Sequence, residues 1–286
     1  MTAAFERLVV EQLTPERLVA ECPAPVRLVA SDLDGTLVRS DGTVSQRSRD
    51  ALARARAAGA ALVLVTGRPP RWMRTIAEQT GHTGVALVGN GAGVYDLRAE
   101  RLVHTDPLTP EVTREVITRV LAAVPDAAFA GETGDAFLRE QRYASPYGDA
   151  PDRRIASRAE IVALPLLKLL VRTPSHDADA FLAAAREVVG DELATLTHSS
   201  SDGLLEVSAA GVSKASALAR YAASLGVGPA ETVAFGDMPN DVPMLAWAGR
   251  SWAVADAHPA ARAAAGAVTA GNDDDGVALV LERLFP

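Results

Sequence analysis

The stretch Val26-Arg27-Leu28-Val29-Ala30-Ser31-Asp32-Leu33-Asp34-Gly35-Thr36 decides the fold. A short apolar run breaks off into two aspartates one residue apart, followed by glycine and threonine. In extended chain, residues two apart project to the same side, so Asp32 and Asp34 can address one point at the carboxyl end of a strand. Two carboxylates held together repel, which costs stability unless a cation lies between them or one keeps its proton. Asp and Gly also make plain turns, so the cluster acquires its meaning from its surroundings.

Working outward, the chain alternates strand with helix. Apolar runs at Val26 to Ser31, Ala60 to Val65, Val85 to Val88, Thr232 to Phe235 and Trp252 to Ala255 read as strands. The helical stretches among them lie at 45–58, 71–80, 213–225 and 241–248. This alternation predicts an α/β fold, a doubly wound parallel sheet of Rossmann type with helices on both faces. In such a sheet, ligands bind outside the carboxyl ends of the strands. Between Gly93 and Leu204 the texture changes to α+β. Hairpin strands at Val94 to Asp96 and Arg101 to His104 precede a helix at Pro110 to Ala123, a strand at Leu166 to Arg172, a helix at Asp177 to Val189 and a strand at Leu193 to His198. The domain expectation is an N-terminal extension at 1–25, a core at 26–92 and 205–286, and an inserted domain at 93–204. Tyr143 to Arg154, rich in Pro, Gly and Asp, reads as an exposed loop.

A second acidic cluster, Gly236-Asp237-Met238-Pro239-Asn240-Asp241, follows the Thr232 to Phe235 strand. Asp237 ends a strand, and Asp241 is placed to cap the following helix, with Pro243 in its first turn. Three or four carboxylates at one sheet edge make a hard-cation site, and oxygen-only ligands suit Mg²⁺ better than zinc. Among 28 basic residues, lysine occurs only at Lys168 and Lys214. Lys214 follows Ser213, a natural N-cap, on a helix whose expected buried stripe is Leu218, Tyr221 and Leu225. A cation in a helix's first turn opposes the macrodipole, so this lysine suits a compact point charge that meets a phosphate or an aspartate. Thr66-Gly67-Arg68, after the second strand, adds a hydroxyl and an unhindered amide at the same edge.

Taken in order, Asp32-Leu33-Asp34-Gly35-Thr36, Thr66-Gly67-Arg68, Lys214 and Gly236-Asp237-x-x-Asn240-Asp241 resemble the four signature motifs of the haloacid dehalogenase-like phosphohydrolases. The insert after Asn90-Gly91-Ala92 resembles the Cof-type subgroup with a large α/β cap. The resemblance runs from about Val26 to the C-terminus and omits residues 1–25. It implies that Asp32 is the nucleophile that becomes an aspartyl phosphate, and that Asp34 protonates the leaving alcohol and then activates water. It also implies that Thr66 binds the transferring phosphoryl group and that Lys214 neutralises charge on Asp32 and the phosphate. Mg²⁺ would be held by Asp32, Asp237 and the backbone carbonyl of Asp34, with Asp241 in or behind the ligand set. Gly67, Arg68, Asn90, Lys168 and Asn240 are the candidate substrate contacts.

The expected activity is Mg²⁺-dependent hydrolysis of a small phosphorylated metabolite, with a sugar phosphate as the leading candidate. A phosphomutase and a catalytically silent sensor of a phosphorylated ligand are the competing readings. Specificity belongs to the cap, where the sequence names no substrate, and oligomeric state is not legible. Composition narrows the remaining classes. The chain has 286 residues, 48% of them hydrophobic and 22% charged, with 36 acidic against 28 basic side chains and a net charge of −8. That is a folded protein without the basic surface that nucleic acid requires. No run approaches the roughly 18 apolar residues of a membrane span, and the N-terminus lacks a signal-peptide pattern. With Cys22 the single cysteine, a cytoplasmic protein is expected.

Other features carry plainer readings. Asn90 precedes glycine, as turn residues do, and Lys168 stands in a strand whose alternate faces leave solvent and cleft both open to it. His82, His104, His176, His198 and His258 share no ligand spacing and read as surface or packing residues. Asn272-Asp273-Asp274-Asp275-Gly276 reads as the cap of a terminal helix. Phe129, Phe137, Tyr143 and Tyr147 are candidates for the cap's substrate face or its core.

Overall fold

The computed structural model describes residues 24–144, 153–200 and 202–286. Most of the expected N-terminal extension, Cys22 and Tyr147 lie outside the described residues. From the first strand the chain runs β1 (Leu28–Ser31), α1 (Gln46–Ala57), β2 (Ala61–Val65), α2 (Met73–Thr80), β3 (Val85–Val88), β4 (Gly93–Asp96) and β5 (Arg101–Thr105). It continues through α3 (Pro110–Ala123), β6 (Ala128–Glu132), β7 (Phe137–Arg139), β8 (Arg153–Ile155), α4 (Arg158–Val162) and β9 (Lys168–Arg172). Then come α5 (Ala178–Val189), β10 (Ala194–Thr197), β11 (Leu204–Ala209), α6 (Lys214–Ser224) and β12 (Thr232–Gly236). The chain closes with α7 (Val242–Trp247), β13 (Arg250–Ala253), α8 (Pro259–Ala264), β14 (Ala267–Val268) and α9 (Gly276–Leu284).

The strands form two sheets. One has eight strands in the order β14-β13-β12-β1-β2-β3-β4-β5, parallel from β14 through β3. Every residue of β1 is buried, because both faces of the sheet are covered. Val29 packs on one side with Leu52 and Ala55 of α1 and with Val280 and Leu281 of α9. Leu28 and Ala30 pack on the other with Leu218 of α6, Met244 of α7 and Ala261 of α8. Each fully buried leucine or valine of this kind contributes about 1.5–3 kcal/mol of transfer free energy. The expected stripe on α6 is only partly realised, since Leu218 is buried and Leu225 is exposed.

The second sheet, in the order β10-β11-β9-β6-β7-β8, carries α3 and α5 over its own apolar cluster around Phe129, Leu169, Phe181 and Leu205. This is the inserted cap, and its boundaries differ from those expected. β4 and β5 do not belong to it; they extend the core sheet antiparallel to β3. A short link with Asn90 at φ 59 turns the chain straight back onto β3, so local pairing captures the hairpin. At the other end β11 pairs with β9 and β10 rather than resuming the core. The expected loop at 143–154 is corrected at both ends, because Tyr143 is buried and Arg153–Ile155 pairs with β7 as β8.

Cap and core meet through polar contacts and a small apolar cluster of Ala92, Leu102, Leu167, Ala209 and Val212. Arg71 reaches Glu132 at 2.6 Å, Lys168 Nζ donates to the Gly67 carbonyl at 2.9 Å, and Arg220 pairs with Asp106 at 2.6 Å. The expectation of unrelated histidines is corrected by the tertiary fold. His198 of the cap and His258 of the core both address Asp179, at 2.9 and 3.2 Å. The Ala260 amide donates to His258 Nδ1, which leaves Nε2–H as the donor to Asp179, so this trio is a hydrogen-bonded clasp. The 272–276 stretch likewise does more than precede a helix. Asp273 accepts from the Ser40 amide and hydroxyl, Asp275 pairs with Arg39, and no side-chain cap bond forms at α9. Among the described residues no helix is long and apolar enough to cross a membrane.

Candidate active site

β1 and β12 are parallel neighbours with Ser31 opposite Phe235, and the Asp32 amide donates to the Phe235 carbonyl at 3.0 Å. Both strands therefore end together, which delivers Asp32 and Asp237 to one point of the sheet edge. Gly35 makes the tight exit from β1 with φ +77, and a Cβ there would collide with the Asp237 carboxylate. Only glycine lets the two loops close on each other.

Lys214 lies 1% exposed in the first turn of α6. Its ammonium donates to Asp32 Oδ1 at 2.6 Å and to Asp241 Oδ1 at 2.7 Å. The sequence anticipated Asp241 as a helix cap, and here the structure differs. Its Oδ2 turns back to accept the Asp237 and Met238 amides, each at 3.1 Å, and no cap bond to α7 forms. Asp237 in turn accepts from Thr36 Oγ1 at 2.8 Å. Oxygens of Asp32, Asp237 and Asp241 all lie within 4.8 Å of one another.

Three carboxylates face one ammonium, so the cluster lacks two positive charges. Burial above all pushes the Asp32 carboxyl well above the usual range, with Asp241 and Asp237 adding repulsion against the pull of Lys214. Burial, followed by Asp241, pushes Asp237 up to about 7. Burial opposes the charge on Lys214, but Asp241 and Asp32 hold its proton more tightly than an ordinary lysine holds its own. An all-oxygen donor set short of two positive charges fits a hard divalent cation.

Asp34 stands apart from that cluster. Its carboxylate is 61% exposed and paired with Arg68, whose Nε reaches Oδ2 at 2.8 Å. The side chain is thus held at the mouth of the cleft, not among the three clustered carboxylates. Thr66 is fully buried, and its hydroxyl accepts the Arg68 amide at 3.0 Å, which shapes the Thr66-Gly67-Arg68 turn. Asn90 receives Asn240 Nδ2 on its Oδ1 at 3.1 Å and donates to Glu206 at 3.2 Å. Lys168 is no solvated strand residue; it is buried and pairs with Glu206 as well as the Gly67 carbonyl. All nine candidate catalytic and substrate residues except Thr66 and Asn90 line one cleft, and those two lie directly behind it.

On the cap side of that cleft, sequence reading offered Lys168, Phe137 and Tyr143 and missed the rest. Glu206 is buried in β11, and although burial works against its charge, Lys168 leads the groups that hold its carboxyl below the usual range. Arg71, Trp72, Glu132, Arg153 and Arg172 also line the cleft. The available signal was a lone carboxylate inside an apolar run, as in Leu204-Leu205-Glu206-Val207. Phe129 belongs to the cap core, whereas Phe137 and Tyr143 face the cleft.

A doubly wound core with an acidic edge and an inserted cap defines a class of hydrolases, and comparison with known proteins agrees. The model of the haloacid dehalogenase-like hydrolases matches residues 29–281, and the chain belongs to that family. It is 30% identical over 264 residues to the pyridoxal phosphate phosphatase YbhA of Escherichia coli (strain K12), spanning 88% of this chain and 96% of the relative. It is 32% identical over 256 residues to a phosphoglycolate phosphatase of Halorubrum lacusprofundi, spanning 90% of this chain and 96% of the relative. A haloacid dehalogenase-like hydrolase from B. subtilis superposes with a TM-score of 0.77 at 26% identity, covering 90% of this chain and 99% of that one.

Proposed function

We propose that this chain is a cytoplasmic Mg²⁺-dependent phosphatase that hydrolyses a small phosphorylated metabolite through an aspartyl phosphate on Asp32. The observation that carries this reading is the Asp32 carboxylate, buried at a strand end, bonded to Lys214 and grouped with two further carboxylates. Asp32, Asp237 and the Asp34 backbone would hold the metal ion. Asp241, whose oxygens are engaged by Lys214 and two amides, would steady that set. When bound, the ion supplies the missing positive charge and polarises the phosphoryl oxygens.

An Asp32 oxygen attacks phosphorus as the ester P–O bond breaks, and Asp34 passes its proton to the departing alkoxide. Asp34, now ionised, takes a proton from water as that water's oxygen displaces Asp32 from phosphorus. Inorganic phosphate leaves and Asp32 is restored. Thr66 and Lys214 bind the transferring group, and Gly67, Arg68, Asn90, Lys168 and Asn240 border the substrate. The cap, joined to the core by polar contacts and one small apolar cluster, opens to admit substrate and release product. A sugar phosphate is the substrate the sequence suggests. Release of inorganic phosphate from a panel of phosphomonoesters, with and without Mg²⁺, tests the reading; a mutase would return an isomer and a sensor nothing.

Asp34→Asn separates the two halves of that residue's role. With an activated aryl phosphate the leaving group needs little proton help, so rapid-quench kinetics should show a burst of phenol followed by slow turnover. A sugar phosphate should show no burst and the larger loss in the first step. Equal losses without a burst would reduce Asp34 to a structural residue.

The metal-free protein should be pH-sensitive in a defined direction. Folded Asp237 keeps its proton up to about 7, whereas the unfolded chain releases it near the ordinary value of about 4. The folded state therefore binds more protons in this window, and stability present below it is lost as pH rises through it. Thermal midpoints of chelator-treated protein should fall from about pH 5 to pH 7.5, and added Mg²⁺ should remove the decline. A flat profile in both conditions would contradict the metal assignment.

A further inference from the structure

We propose that Asp179 and His198 of the cap and His258 of the core form a second metal site, one for zinc or a similar borderline divalent cation, which clamps the cap onto the core. Among the described residues two groups bring three metal-ligating side chains together: the carboxylates of the acidic edge, and this trio, whose ligand atoms all lie within 4.8 Å of one another. The two sets suit different ions. Carboxylates alone suit Mg²⁺, whereas two imidazoles and one carboxylate are donors that zinc, nickel and copper prefer.

The fold assembles the site from three places. Asp179 lies in the first turn of α5, His198 follows β10, and His258 caps α8. His198 is 1% exposed and bonded to Asp179 at 2.9 Å, and its ring stands edge-on to that of His258 with centres 5.7 Å apart. His258 Nε2 meets the other Asp179 oxygen at 3.2 Å. The His198 bond leads the contacts that hold the Asp179 carboxyl below its usual range, so an anionic ligand is ready. Asp179 is 67% exposed, which gives an ion a route from solvent and leaves a coordination position for water.

Little has to move. Each ring shifts its proton from Nε2 to Nδ1, and an ion about 2.0–2.2 Å from each ligand replaces the two N–H donors. At His258 the shift forfeits the bond from the Ala260 amide, but that bond is exposed and water takes its place. His198 Nδ1 has no hydrogen-bond partner, so moving the proton there breaks no bond. The site also reaches the catalytic edge. The His258 amide donates to the Asp237 carbonyl at 2.8 Å, and Ser199, next to His198, lines the cleft. An ion held by both domains keeps the cap shut over the acidic edge, and turnover, which needs the cap to open, slows. That effect on turnover rests on the phosphatase reading; the metal site does not.

Zn²⁺ calorimetry on metal-stripped protein in excess Mg²⁺ tests the site, with visible Co²⁺ absorbance as a second reading of its ligands. His258→Asn keeps an acceptor for the Ala260 amide but lacks Nε2, and Asp179→Asn changes an exposed position, so both variants should fold. Each should weaken Zn²⁺ binding by at least the roughly 10–100-fold that losing even an outer partner of a metal ligand costs. Each should also remove the Co²⁺ absorbance of the parent. Zinc that enters the acidic edge instead binds equally in parent and variants, so unchanged binding, or none in the parent, would overturn the site. With Mg²⁺ saturating, Zn²⁺ should slow phosphate release by the parent about tenfold more than by His258→Asn, an ordinary coupling between two sites. Equal inhibition would overturn the clamp. Absence of phosphate release from every ester would instead overturn the phosphatase reading, with Zn²⁺ binding still measured.

Discussion

Replacing Asp32 by Asn should lower phosphate release by about 10⁶-fold, the loss expected when a covalent nucleophile is removed. An amide oxygen does not attack phosphorus, and no neighbouring carboxylate can take over. Asp237 and Asp241 are tied to Thr36, to Lys214 and to backbone amides. The fold should survive, because Asn matches Asp in volume and removes one of three carboxylates that repel each other around a single ammonium. Chelator-treated Asp32→Asn protein should melt no lower than the chelator-treated parent, while Mg²⁺ should raise its midpoint less. Paired phosphate-release and melting curves check both halves. Turnover above a trace would remove Asp32 from the nucleophile's role.

The acidic edge could be read in the sequence because its residues lie at strand ends, where alternation and burial act locally. Asp32 follows β1 directly and Asp237 follows β12, and parallel pairing of two fully buried strands brings them together. Partner choice was not legible to the same degree. The residues of β4, β5 and β11 declare strands, but which sheet each joins depends on pairings that local sequence does not encode. Asp241 shows the same limit at a single side chain. A helix-capping position was evident, yet its carboxylate turns back to two loop amides and Lys214, because a buried ammonium competes for it more strongly than a helix terminus. The cap's contribution was hidden for a third reason. Glu206 and Arg172 come from separated strands, and only tertiary folding makes them walls of one cleft with Phe137, a candidate that local sequence left open between cleft and core. Even the clasp of Asp179 with His198 and His258 follows from closure of cap on core, since its members are scattered along the chain.

Lys214→Met should both destabilise the protein and nearly abolish activity. The methionine fills similar volume, so the change isolates the charge. Lys214 is fully buried and bonded to Asp32 and Asp241, and removing one partner of a buried ionic network costs about 3–5 kcal/mol. At roughly 2–4 °C per kcal/mol for a chain of this size, the metal-free melting point should drop by about 10 °C. The loss should depend on pH in a defined direction. Without the ammonium, Asp32 and Asp237, both already pushed upward, hold protons to still higher pH. Acidification then neutralises the uncompensated carboxylates, so the gap between variant and parent should narrow below about pH 6 and widen above it. Saturating Mg²⁺ should recover part of the stability, because the ion compensates the same charges. It should not recover turnover, since the departing charge on phosphate and Asp32 has lost its ammonium partner; kcat should stay down by about 10³-fold. Lys214→Arg should fail as well, because a 1% exposed site between two carboxylates has no space for a planar guanidinium. A variant with parental melting behaviour across pH would mean that Lys214 does not balance this cluster, and the charge argument for the metal site would fall with it.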